Sequence, residues 1–70
     1  MAALEENQEV LVFHPDYWSE PFRAIVVCFE NDDHVLVRAL DTVDGIDGET
    51  LFDEGEYLVV QVGHVVEDNN

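Results

Sequence analysis

The 70-residue chain has no lysine, and its only permanently cationic side chains are Arg23 and Arg38. Binding to a phosphate backbone rests on Lys and Arg displacing counterions, so direct binding of nucleic acid through its phosphates is nearly excluded and none is expected. An anionic membrane surface is disfavoured for the same reason. Cysteine is nearly absent: Cys28 stands alone, which rules out an internal disulfide framework and fits a reducing compartment. Ser19 is the only serine, and neither it nor Cys28 has a recognisable nucleophile arrangement around it. No glycine-rich phosphate loop is present. No apolar run approaches the roughly 20 residues of a membrane span. Glu5, Glu6 and Glu9 stand where a secretory signal would need a basic start and an apolar stretch. These absences lead to the expectation of a soluble, cytoplasmic protein without catalytic residues or cofactor.

What the chain has is acid and valine. Asp and Glu number 17, and the formal net charge is −15. Hydrophobic residues make up 47% of the chain, so it differs from a disordered acidic tail, which lacks the apolar material to offset chain entropy. Such a length makes one domain with a small core.

The pattern is that of strands. Val10 to Phe13, Phe22 to Glu30, His34 to Asp41, Thr50 to Phe52 and Tyr57 to Val66 are short runs rich in β-branched and aromatic residues. Polar turns separate them at Asn31-Asp32-Asp33, at Asp44-Gly45 and Asp47-Gly48, and at Asp53-Glu54-Gly55. Gly63 inside the last run suggests a bulge or a bend. Five strands in so short a chain predict an all-β, small five-stranded barrel over residues 9–66, with residues 1–8 and 67–70 as flexible ends. Alternation places Ala24, Val26 and Cys28 on one face of the second strand, Val35, Val37 and Ala39 on one face of the third, and Leu58, Val60 and Val62 on one face of the last, opposite Val65. The opposing faces also carry apolar residues. Strands curled across two packed layers, or a self-associating surface, would explain the surplus; a homodimer is therefore a further expectation.

The order of an aromatic loop, Phe22-Arg23-Ala24-x-Val26, a hairpin, Val35-x-Val37 and an acidic turn at Asp41 resembles Src-homology-3-like barrels of the Tudor type. The resemblance covers roughly residues 10–62. It implies a small barrel whose loop aromatics can cage a methylated Lys or Arg, here Phe13, Tyr17, Trp18, Phe52 and Tyr57. The chain departs from the pattern after Asp41, where an aromatic-Gly step is missing and the loop is longer and more acidic.

Two features are candidates for function. One is the loop His14-Pro15-Asp16-Tyr17-Trp18-Ser19-Glu20-Pro21. Its Tyr17 and Trp18 either anchor a partner, with Tyr57, or fold back to lid the barrel. The other is the acidic layout: Asp41, Asp44, Asp47, Glu49, Asp53, Glu54 and Glu56, with Glu30, Asp32 and Asp33 at another turn. Solubility of a small domain needs a net charge of only about 2–8, and the excess costs stability through self-repulsion. His14, His34 and His64 are scattered in sequence without metal-ligand spacing, and the loop from Asp41 to Glu49 fails the spacing of a calcium-binding loop.

Three readings of the charge follow. The carboxylates occupy a basic surface of a partner protein, as a nucleic-acid mimic or an inhibitor of a nucleic-acid enzyme; in size and charge the chain is similar to small phage-encoded host inhibitors. Alternatively the domain reads Arg- or Lys-bearing peptides. Or the acidity is an adaptation to high internal salt and indicates no partner.

Overall fold

A computed structural model describes residues 4–14, 16–18 and 20–67. Pro15, Ser19 and residues 1–3 and 68–70, which enter the sequence reading above, lie outside the described residues. The chain is all-β. Its elements are β1 (Glu9–Val12), β2 (Phe22–Phe29), β3 (His34–Ala39), β4 (Val43–Asp44), β5 (Thr50–Phe52), β6 (Tyr57–Gln61), a 3-10 turn (Val62–His64) and β7 (Val65–Glu67). No described helix is long and apolar enough to cross a membrane.

One antiparallel sheet runs β6-β3-β2-β1-β7, and β4 and β5 form a small second sheet. The two edge strands of the large sheet, β6 and β7, are joined by only three residues. The sheet must therefore curl until its edges approach, which makes the fold barrel-like. Backbone bonds from Val62 N–H to the Asp33 carbonyl (2.8 Å) and from Phe13 N–H to the His64 carbonyl (2.9 Å) hold both ends of this link.

The concave face holds the core. Val10, Val12, Val26, Val35 and Val37 are fully buried, with Phe22, Ala24, Ala39, Leu58, Val60 and Val65 around them. Valine suits both demands here: its branched Cβ favours extended backbone, and its small volume fits a tightly curled sheet. Burying each valine is worth about 1.5 kcal/mol. Val43 and Trp18 close the open side, where Trp18 forms a backbone bridge with Gly45 of the small hairpin.

Several expectations change. The run from Tyr57 to Val66 is not one strand. The 3-10 turn breaks it at Gly63, which resets the alternation, so Val65 is buried and Val62 is only half-buried. β4 went unforeseen, because two residues in an acidic loop make no periodic signal; its Val43 is a core residue. Cys28 does not continue the face of Ala24 and Val26. The β2–β3 register shifts between Val26 and Cys28, a bulge that places Cys28 opposite Leu36, half-buried on the outer side. Glu67, read as the start of a tail, ends β7. In the N-terminal segment, Asn7 N–H donates to the Val26 carbonyl and Leu4 packs against the core.

The outer face of the sheet carries the apolar surplus. Leu11, Ile25 and Leu36 are half-buried there, while Val59, Val66 and Tyr57 are exposed. Arg23 and Arg38 stand on the same face.

Turn chemistry fixes the hairpins. In Asp53-Glu54-Gly55-Glu56 the Glu56 N–H returns to the Asp53 carbonyl at 3.1 Å, with Gly55 at φ +92°. A left-handed residue at the third position is the requirement of a type II turn. Gly55→Ala is expected to cost about 1–2 kcal/mol, read as a lower urea midpoint at unchanged slope. Gly63→Ala is the control: a methyl there meets nothing within 4 Å, and little change is expected.

Candidate functional site

The carboxylates gather at turns, at both ends of β3. Glu30, Asp32 and Asp33 occupy the β2–β3 turn. Asp53, Glu54 and Glu56 occupy the β5–β6 turn, tied to the far end of β3 by Gly55 N–H to the Ala39 carbonyl (2.7 Å) and Ala39 N–H to the Glu56 carbonyl (2.9 Å). Six strand residues at about 3.4 Å each set these groups roughly 20 Å apart. Asp44, Asp47 and Glu49 lie on the β4–β5 hairpin. Among the described carboxylate residues all but Asp41 and Glu67 are exposed.

They do not all have the same part. Asp41 is engaged internally. It accepts hydrogen bonds from Arg23 Nη2 at 2.8 Å, Arg23 Nε at 3.1 Å and the Arg23 backbone N–H at 3.2 Å. The side-chain hydrogen bonds from Arg23 hold the Asp41 carboxyl below its ordinary value of 3.8, against a smaller opposing effect of burial. Asp44 accepts a long hydrogen bond from the Thr50 hydroxyl (3.4 Å), and Glu56 accepts from the Asp53 backbone N–H within its turn. The side chains of Asp32, Asp33, Asp47, Glu49, Asp53 and Glu54 make no such bond among the described residues, so their charge faces solvent only.

The Arg23–Asp41 pair gives a pH prediction. A carboxylate with a depressed folded-state pKa contributes stability that is present above its unfolded value. That stability is lost as pH falls through 3.8 towards the folded value. The pair is about half exposed, so its contribution is small, below about 1 kcal/mol. Asp41→Asn should be less stable than the parent above about pH 5, with the difference shrinking below about pH 4. Paired urea titrations across that range would measure it.

The aromatic loop behaves differently from the acidic turns. Trp18 is 8% exposed and packs edge-on against Phe22, ring centroids 5.4 Å apart. It is the lid of the barrel. Tyr17 is exposed and stacks on His14, with centroids 4.2 Å apart. Tyr57 is on the outer face of the sheet, paired with Arg38. Of the five aromatics that the Tudor resemblance would place in a cage, Tyr17, Trp18 and Phe52 line one cavity of about 320 Å³. Phe13 turns edge-on to His64 instead.

The same cavity collects His14, His34 and His64, beside Leu58, Val60 and Gln61. The histidines are far apart in the chain: one in the β1–β2 loop, one at the start of β3 and one in the 3-10 turn. Curling of the sheet brings these three places to one side. No local spacing announces that convergence. His14 and His64 rings lie 4.3 Å apart between centroids, in an edge arrangement. Among the described residues no three His, Cys, Asp or Glu side chains are placed to share a metal ion.

Compared with known proteins, the chain matches no family model, and no curated protein or solved structure is significantly similar to it.

Proposed function

We propose that this protein is a non-catalytic acidic binding module that seats on a basic surface of a partner protein, such as the nucleic-acid cleft of an enzyme. One observation carries the reading. The side chains of Asp47, Glu49, Asp53 and Glu54 stand exposed on hydrogen-bonded hairpins and make no bond among the described residues. Charges held at fixed positions steer a cationic partner and lose little freedom on contact, whereas charges on a floppy tail lose more. Mimicry of a nucleic acid or inhibition of a nucleic-acid enzyme is the form this contact takes in the proposal. The exposed apolar outer face is where the expected homodimer would form.

A reader of Arg- or Lys-bearing peptides draws support from Tyr17, Trp18 and Phe52 around one cavity. Against it, no carboxylate among the described residues lines the cavity to meet a cation, and Phe13 and Tyr57 lie elsewhere.

The test is a pull-down from lysate at about 0.05 and about 0.5 M NaCl, with the parent and with a variant carrying Asp47→Asn, Glu49→Gln, Asp53→Asn and Glu54→Gln. The expected result is recovery of a nucleic-acid-binding enzyme at low salt, lost at high salt and lost in the variant. Capture indifferent to both changes would overturn the proposal.

A further inference from the structure

The cavity shared by the three histidines has a hydrogen-bonding character that the local bonds determine. Asn31 Oδ1 accepts the backbone N–H groups of Asp33 (2.8 Å) and His34 (2.9 Å), and His34 Nδ1 lies 3.2 Å from the same oxygen. An oxygen already accepting two bonds offers no proton, so His34 Nδ1 must be the donor. The neutral ring then keeps a lone pair on Nε2 and presents an acceptor. His14 is the reverse. Its Nδ1 accepts the Asp16 N–H at 3.2 Å, which puts the ring proton on Nε2 and makes that nitrogen a donor. Both residues line the cavity, so its lining includes one imidazole whose remaining ring nitrogen is a donor and one whose remaining ring nitrogen is an acceptor.

The rest of the lining narrows the ligand. Tyr17, Trp18 and Phe52 supply aromatic surface, and Gln61 supplies an amide. Trp18 Nε1–H is buried and has no acceptor among the described residues, which is a cost to the fold. Among the described residues neither a carboxylate nor an arginine lines the space. An anionic ligand is opposed by a net charge of −15, and a cationic one finds no counter-charge in the lining. About 320 Å³ is the lower end of small-molecule sites.

We propose that this cavity binds a neutral, planar heterocycle with a hydrogen-bond donor and acceptor on its rim, of the nucleobase or nucleoside class. The ring stacks among Tyr17, Trp18 and Phe52, while its rim takes the His14 Nε2–H and gives to His34 Nε2. The inference is independent of the acidic docking surface, which lies on other residues.

The test is an NMR titration of the full chain in mildly alkaline buffer, following backbone amides, imidazole carbons and the Trp18 indole N–H. The probes are uridine, adenosine, uridine monophosphate and a trimethyllysine peptide. Saturable shifts centred on His14, His34 and Trp18 are expected with at least one of the two nucleosides. The monophosphate should bind at least tenfold more weakly than uridine. His34→Phe and His14→Phe should each weaken nucleoside binding at least tenfold, with a dispersed amide spectrum certifying the fold, and Glu6→Gln, at an exposed residue outside the cavity, should leave it unchanged. Absence of saturable shifts with both nucleosides would overturn the proposal. So would tighter binding of the trimethyllysine peptide, or undiminished nucleoside binding by both folded histidine variants.

Discussion

Trp18→Ala is expected to leave the chain largely unfolded at room temperature, while Trp18→Phe keeps the fold. The indole is nine-tenths buried, packs on Phe22 and closes the barrel beside Val43 and the β4–β5 hairpin. Truncating a buried aromatic side chain to alanine costs about 3–5 kcal/mol. A core in a chain this short rarely supplies more than about 3–5 kcal/mol in total. The loss and the reserve are of the same size, so no margin remains. Phenylalanine restores most of the ring and removes an N–H that has no acceptor among the described residues, so its cost is smaller. Far-UV circular dichroism and urea titration decide the matter. A Trp18→Ala variant that stays folded and merely loses partner binding would assign Trp18 to a surface anchor and not to the core.

The second large effect has opposite signs in two measurements. Raising NaCl from about 0.05 to about 0.5 M shortens the screening length from roughly 14 to roughly 4 Å. Repulsion among exposed carboxylates then weakens, and the urea midpoint should rise. Attraction to a basic partner weakens too, and affinity should fall by at least tenfold, mostly through slower association. The folded state should already be populated at the lower salt, because its valine core does not depend on ions. If the chain is unfolded below molar salt and gains stability steeply above it, the acidity is a salt adaptation and the docking proposal falls. The quadruple Asn/Gln variant gives a matching control: it should be more stable than the parent at low salt and nearly equal to it at high salt.

Much of the fold was legible because strands announce themselves by alternation and turns by composition. Val35, Val37 and Ala39 were placed on one face by period alone, and all three are buried. The turns at Asn31 and Asp53 were legible from residues whose side chains or backbone freedom make turns. What escaped has a common cause: a local event that changes parity. The bulge at Val27 and the 3-10 turn at Gly63 each displace the period by an amount that composition does not encode. Period alone therefore puts Cys28 and Val65 on the wrong face. The acidic turns were equally legible, since the carboxylates are adjacent in sequence. That Asp41 is occupied by Arg23 was not, because the partners are 18 residues apart. The histidine cavity was invisible for the same reason, as its lining comes from the β1–β2 loop, β3, β5, β6 and the 3-10 turn.

The link between β6 and β7 has a consequence for uniqueness. Val65 is buried opposite Val12, and its neighbour Val66 is exposed opposite Leu11. The two side chains are identical, so side-chain identity scarcely distinguishes this threading from one displaced by a single residue. Only the count of residues in the turn selects between them. Removing one residue at Gly63 would let Val66 take the vacated hole with the hydrophobic contact preserved. The closing strand is thus set by a ruler and not by a lock, and it is where this small barrel should exchange between two threadings first.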